Sequence, residues 1–303
     1  MTLPVLHSAV VFMTPLLFAA TGGLFAELSG MLNIALEGLL LVGAFSALVA
    51  AHFSGSLLAG VLAAVISSLL LSALVGAVTL KLKANVFITG LAANLFASGI
   101  TVVLSYRIFA TRGVLVFNDL PSLKIFSLGF ISQIPVAGDL ISGQNFYAYS
   151  SWILLFISWV VLYRTPFGFR LRSAGSHGEA LVSLGIRPEF YQFCAFLISG
   201  LACGIGGSLL TLNLGVFVPN ISAGKGWIAL VVIFLGNRKP LGLLIAAFIF
   251  GLSESFSNYA QGAFDVPADF ILAIPSIFTL AGMIGVSVYA KRKNRVRALL
   301  RKR

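Results

Sequence analysis

Long apolar runs separated by short polar breaks dominate the chain. A helix needs roughly 20 apolar residues to cross a bilayer. By that measure the runs at 5–25, 31–51, 57–80, 86–106, 148–163, 190–213, 226–236, 241–260 and 270–290 predict membrane helices. The run 148–163 is short and extends upstream through Phe146 and Tyr147. The run 226–236 is too short to span. It reads as the end of a broken or re-entrant helix whose earlier part is 214–225. The count is about nine, between eight and ten, and the fold class is an all-α polytopic membrane protein. A barrel would show alternating ten-residue strands instead.

The long polar interruption of the second half is Arg164–Phe190, RTPFGFRLRSAGSHGEALVSLGIRPEF, with Arg164, Arg170, Arg172 and Arg187. Ser176 and Glu179 have the spacing of a capping box, in which each side chain satisfies a free N–H at a helix start. Ala180, Leu181 and Leu184 then offer a small apolar face. Gly185 suits the left-handed position after a helix, and Pro188 blocks continuation. The expectation is a helix of about two turns. So short a helix is marginal alone in water, so it packs on something. It is either a capped connector on the lipid headgroups or a coupling helix docked into a partner ATPase.

Composition strengthens the membrane reading. Hydrophobic residues make up 59% and charged residues 10%, against roughly 25% charged in soluble domains; mean hydropathy is +1.03. The net charge of +11 could suggest nucleic acid, but its placement argues otherwise. No Lys or Arg precedes Lys81, and eight of the twenty lie in the last thirteen residues, KRKNRVRALLRKR. That is a juxtamembrane tail for anionic lipid or a partner, with no nucleic acid implied.

With nine passes, one side holds Lys81, Lys83, the 164–189 loop, Arg238, Lys239 and the tail, sixteen of the twenty basic residues. Arg107, Arg112, Lys124 and Lys225 fall on the other. The basic side is expected to be cytoplasmic, placing the C-terminus there and the N-terminus outside. The chain is thus one transmembrane domain, 1–290, and a basic cytoplasmic tail, 291–303. The external loop 107–147 carries Phe and Ile among its prolines and glycines, too apolar for disorder, and reads as a cap. The N-terminus lacks the basic region of a secretory signal, so the first run stays as a span.

Candidate chemistry is sparse. Gly224-Lys225-Gly226 lacks the spacing and hydroxyl residue of a phosphate-binding loop. His7, His52 and His177 are scattered, and Cys194 and Cys203 read as small buried residues. Asn220-Ile221-Ser222 matches a glycosylation sequon by chance. Glu37 and Glu254 stand inside spans, where an ionisable group faces a cavity or a partner. Glu37 reads as structural or pore-lining; Glu254 reads equally as a helix-end carboxylate. Asn33, Asn85, Asn94 and Asn213 are helix-to-helix glue or a wall for a neutral polar solute. The 31 glycines permit close helix approach and broken helices. Glu37-Gly38 through Phe45 and Lys225-Gly226 through Phe234 open similar apolar runs, with following glycines seventeen and sixteen residues on. In the expected topology they cross in opposite senses, as an inverted repeat does.

The segment Gly22-Gly23-Leu24-Phe25-Ala26-Glu27-Leu28-Ser29-Gly30 through Asn33-Ile34 and Leu36-Glu37-Gly38, with Gly43-Ala44-Phe45, resembles the opening of permeases in ABC importers of the ribose, branched-chain amino acid and nucleoside class. Thr165-Pro166-Phe167-Gly168 to Arg172, Gly185-Ile186, Ile198-Ser199-Gly200, Gly224-Lys225-Gly226-Trp227 and Pro240-Leu241-Gly242 follow in the order of that class. The resemblance runs from about residue 10 to 290. It is nearest the smaller permease of systems served by basic-membrane-protein-type lipoproteins, which import purine nucleosides or, in similar systems, riboflavin. It departs where Lys83-Ala84 is followed by Asn85-Val86, and at Gly178-Glu179-Ala180-Leu181.

The resemblance implies a bacterial inner-membrane permease working with an ATPase of two fused nucleotide-binding halves, a second, larger permease and a solute-binding lipoprotein. ATP and Mg are used by the ATPase; this chain binds no cofactor and is no enzyme. Arg170, Arg172, Ser176, Glu179, Ala180, Leu181, Leu184 and Gly185 would couple to the ATPase, and Asn33, Glu37 and Asn94 would lie near the path. The competing expectation is an ion-coupled secondary transporter, which needs intramembrane acids arranged as an ion site.

Overall fold

The computed structural model describes residues 2–121, 123–126 and 142–263. The expected span 270–290, the tail 291–303 and the middle of the 107–147 loop lie outside them. Among the described residues, seven helices are long and apolar enough to cross a membrane. They are α1 (Thr2–Leu28), α2 (Leu36–Ser54), α3 (Leu57–Lys81), α4 (Val86–Phe109), α5 (Phe146–Arg164), α8 (Pro188–Leu212) and α10 (Pro240–Ala263). Two short helices, α6 (Pro166–Ser176) and α7 (Gly178–Ser183), join α5 to α8, and α9 (Lys225–Leu235) precedes α10. Each apolar run expected to be a helix within the described residues is one.

α1 is the central helix and is buried along almost its whole length, whereas most of α4 faces outward. α1, α2, α3 and α8 form the inner packing. Small residues and hydroxyls hold it together. Ser68 Oγ donates to Leu39 O at 2.8 Å, Ser72 Oγ to Phe196 O at 2.5 Å and Thr211 Oγ1 to Ala44 O at 2.8 Å. With no hydrophobic drive between helices in lipid, close approach and such bonds set the association. The opposite face of α3 exposes Leu58, Leu62, Ile66, Leu70 and Leu74, four residues apart, as a lipid stripe.

The segment 214–225 differs from the expected helix. It holds the strand β4 (Val216–Phe217) and turns with Gly215, Asn220, Ala223 and Gly224 at positive φ. A right-handed helix cannot run through four such residues. β4 pairs antiparallel with β1 (Leu115–Val116) from the 107–147 loop. Leu115 and Phe217 are buried together against Leu41, Phe45 and Leu48 of α2. β2 (Ile125–Phe126) pairs with β3 (Gln144–Asn145) where the loop returns to α5.

α9 and α2 run oppositely from a common start. Gly23 of α1 lies between Leu36 and Ile233, and one turn on, Glu27 meets Arg238, so α9 runs along α1 in the same direction. Leu40 of α2 lies beside Gly206, which also faces Pro15 and Phe18, so α2 runs back along α1. The two helix N-termini therefore meet inside the bundle.

Candidate functional site

The meeting point is built on Glu37. It sits in the first turn of α2 and reaches the start of α9. Its Oε1 accepts from Ser222 Oγ at 2.6 Å and Gly224 N at 2.9 Å, and its Oε2 accepts from Gly226 N at 2.7 Å. The first N–H groups of a helix have no partner within it, and the N-terminus carries about +0.5 charge. One carboxylate thus takes the N–H groups of Gly224 and Gly226 at the start of α9 while standing at the positive end of α2 as well. The approach is close enough that a Cβ on Gly226 would run into the backbone of Glu37.

Asn94, from α4, does for α2 what Glu37 does for α9. Its Oδ1 accepts from Gly38 N at 2.8 Å and its Nδ2 donates to Ile34 O at 3.0 Å. Asn33 is buried, donates to Ser199 Oγ at 2.8 Å and accepts from Ala35 N at 3.1 Å, tying the α1–α2 turn to α8. The three expected path residues are therefore brought together, each engaged in holding the junction. Asn85 is instead the N-cap of α4, accepting from Phe87 N and Ile88 N. Ser98 Oγ donates to Asn220 Oδ1 at 2.9 Å, pinning the irregular 218–224 segment to α4.

Lys225 is not the loop residue the charge count took it for. It is the first residue of α9, and its Nζ pairs with Glu254 Oε1 of α10 at 2.5 Å. Glu254 is thus an intramembrane partner rather than a helix-end carboxylate. Sequence reading missed Ser222, Gly224, Gly226 and Lys225 as a constellation. The signal was the pair of glycines around Lys225, which leaves backbone N–H groups open to an acid from elsewhere.

The basic loop forms two helices. Thr165 caps α6 by accepting from Gly168 N at 3.2 Å, with Pro166 at the first helical position, where its missing N–H costs nothing. α6 runs on through Ser176, whose Oγ donates back to Arg172 O at 3.0 Å. The expected capping box therefore does not form, because Ser176 ends one helix rather than starting the next. His177 is the N-cap of α7, with no side-chain bond, and Glu179 is exposed. α7 is six residues long, shorter than the expected two turns. Its C-terminus is as expected: Gly185 has φ +74°, Gly185 N donates to Val182 O and Ile186 N to Leu181 O.

Leu181 is buried, while Ala180, Val182 and Leu184 face outward. Arg170 and Arg172 turn onto the chain itself. Arg170 NH1 donates to Tyr191 OH at 3.1 Å, and the Arg172 guanidinium lies 4.7 Å over the Tyr163 ring. α6 is pressed on the end of α1: a Cβ on Gly175 would strike Leu28 O and Gly30 N. Gln192 Nε2 donates to Ser29 O at 3.2 Å, and Arg238 pairs with Glu27 at 2.7 Å. The loop, the end of α1 and the turn after α9 form one connected end of the molecule.

A groove of about 420 Å³ lies away from this chemistry, between α1, α5 and α10, lined by Val10, Met13, Trp152, Leu244, Ile245, Phe248 and Ile249. Its lining is apolar, whereas the buried polar and charged side chains gather at the junction.

Residues 5–290 match the protein family described as branched-chain amino acid transport system / permease component. The guanosine ABC transporter permease protein NupQ of Bacillus subtilis (strain 168) is 32% identical over 93% of this chain and 91% of its own length. The nucleoside ABC transporter permease protein NupC of Lactococcus lactis subsp. cremoris (strain MG1363) is 30% identical over 91% and 90%. A putative glucose ABC transporter permease protein, TsgC13 of Haloferax volcanii, is 26% identical over 84% and 77%.

Proposed function

We propose a function for this chain from the premise that it belongs to the branched-chain amino acid transport permease family: it carries nucleosides through the membrane as the permease of an ABC importer. Two relatives that align along nearly its whole length are named for guanosine and nucleoside transport. Riboflavin, whose flat heterocycle offers similar hydrogen-bonding edges, is the alternative cargo.

The observation that carries the reading is the meeting of α2 and α9 at their N-termini. Transporters place solute near such broken helices, at the interface of repeats inside the bilayer. Glu37-Gly38 and Lys225-Gly226 open the two helices, which run oppositely; this supports the inverted repeat. In our reading Glu37 and Asn94 hold the junction in register, and the solute passes on its open side. The basic end, with α6, α7 and Arg238, is cytoplasmic by the distribution of Lys and Arg. There α7 offers Val182 and Leu184 to an ATPase with two fused nucleotide-binding halves, while α6 transmits the closure through Gly175 to the end of α1. A second, larger permease and a solute-binding lipoprotein complete the importer.

The ion-coupled alternative needs an acid whose charge is uncompensated and can hold a cation. Glu37 is already satisfied by three donors and Glu254 is paired with Lys225. The test is uptake of labelled guanosine, adenosine and riboflavin into vesicles bearing the assembled importer, with and without ATP. ATP-dependent nucleoside uptake is expected. Uptake that follows a proton or sodium gradient and ignores ATP would overturn the reading.

A further inference from the structure

α10 carries two stripes of exposed residues. Leu241, Ile245, Ile249, Phe256 and Tyr259 are exposed along one side. At roughly 100° per residue, Glu254, Asn258 and Gln261 fall on the opposite side. Asn258 and Gln261 are exposed there, and Glu254 keeps 23% of its side chain open. The apolar stripe is the lipid face. Three such side chains in sequence would be costly against lipid, so the polar stripe is read as facing away from it. At its foot stands the Lys225–Glu254 pair, beside the junction of α2 and α9.

The pair has capacity left over. Lys225 uses one of its three N–H donors on Glu254, and among the described residues Glu254 Oε2 has no partner. Among the described residues, an unused ammonium donor thus sits next to an unused carboxylate oxygen. A charge-assisted bond to either is stronger than a neutral one. The edge that complements the two at once is a carbonyl beside a ring N–H. Guanine, hypoxanthine and uracil carry that lactam edge; adenine and cytosine have no ring N–H on theirs.

We propose that Lys225 and Glu254 form a solute-reading subsite that takes the lactam edge of a neutral nucleobase, with Asn258 and Gln261 lining the approach to it. This rests on the nucleoside-permease reading above. The carboxylate accepts the ring N–H, and the ammonium donates to the adjacent carbonyl. The two protein charges stay mutually compensated throughout, so nothing is left unpaired when the solute leaves.

The test uses the assembled importer in proteoliposomes, with inosine or adenosine held below saturation, wild type against Glu254→Gln. The amide is isosteric but accepts more weakly and loses the pairing with Lys225. Inosine uptake should fall about tenfold or more, the scale of one charge-assisted hydrogen bond, while adenosine uptake falls far less. The double variant Lys225→Glu/Glu254→Lys keeps an ion pair but exchanges donor and acceptor positions. It should assemble, read by co-purification of the ATPase, and still fail to carry inosine well. Equal losses for both nucleosides, or recovery of inosine uptake by the exchanged pair, would make the pair a structural brace and sink the proposal. If wild type carries no nucleoside at all, the nucleoside reading fails first, before any variant is compared.

Discussion

Glu37→Gln separates a charged keystone from ordinary helix glue. The carboxylate accepts three hydrogen bonds, two on Oε1 and one on Oε2. A glutamine keeps one acceptor oxygen, and its least damaging orientation retains Ser222 and Gly224. Its NH2 then faces the Gly226 N–H, donor against donor. One charge-assisted bond of about 1.5–3 kcal/mol is lost, and the other two fall to neutral strength, about 1 kcal/mol less each. The sum is about 3.5–5 kcal/mol. Were Glu37 merely glue between helices, the cost would be about 0.6 kcal/mol and at most about 1.7. The assay is thermal unfolding of the purified permease followed by tryptophan fluorescence, with Trp227 two residues from the start of α9, alongside nucleoside uptake. Glu37→Gln should unfold well below wild type and lose uptake. A variant that melts and transports like wild type would refute the keystone role.

Other substitutions follow from the same contacts. Gly226→Ala places a Cβ against the Glu37 backbone and should destabilise by about 1–3 kcal/mol or more, with uptake lost, as the same melting and uptake assays would show. Leu181→Ala removes the buried anchor of α7 and should cost about 2–5 kcal/mol locally, read as faster proteolysis of the 176–188 loop. Leu184→Glu, on a side chain 74% exposed, should leave melting unchanged yet abolish ATP-driven uptake; normal uptake would remove α7 from the ATPase contact. Arg238→Ala breaks a pair whose arginine is 55% exposed, so its effect on melting should be under about 1 kcal/mol.

The helices were legible because twenty-residue apolar runs leave few alternatives to a span. Caps and stops were legible where one residue dictates backbone geometry, as at Gly185. Reading failed where two local rules competed. Ser176 and Glu179 have capping-box spacing, but α6 continued through Ser176 because Thr165 and Pro166 had already started a helix with eleven residues to run. The segment 214–225 was apolar enough to suggest a helix; Gly215 and Gly224 instead supplied turns. The junction was half legible. Glu37 drew notice as an acid at membrane depth, but its donors are a serine hydroxyl and two backbone N–H groups some 185–189 residues away, and no periodicity encodes them. Lys225 was counted outside the spans because the apolar run that follows it starts at 226.

The charges around the junction bear on what the permease can carry. Glu37, Lys225 and Glu254 sum to one negative charge, and the N-termini of α2 and α9 together contribute about one positive charge. The region is therefore close to neutral before any solute arrives. A neutral solute can enter and leave without exposing an uncompensated charge in a medium where such a charge is costly. An anionic solute would compete with Glu37 for the α9 N–H groups, and releasing that carboxylate would forfeit the bonds that hold the junction together. A cationic solute would have to separate Glu254 from Lys225. A neutral nucleoside meets neither cost, so inosine should be carried while its 5′-monophosphate, with the same base and sugar, is excluded even at saturating concentration. Comparable uptake of the two would mean that the path does not run past this junction, because a phosphate could not pass Glu37 at no cost.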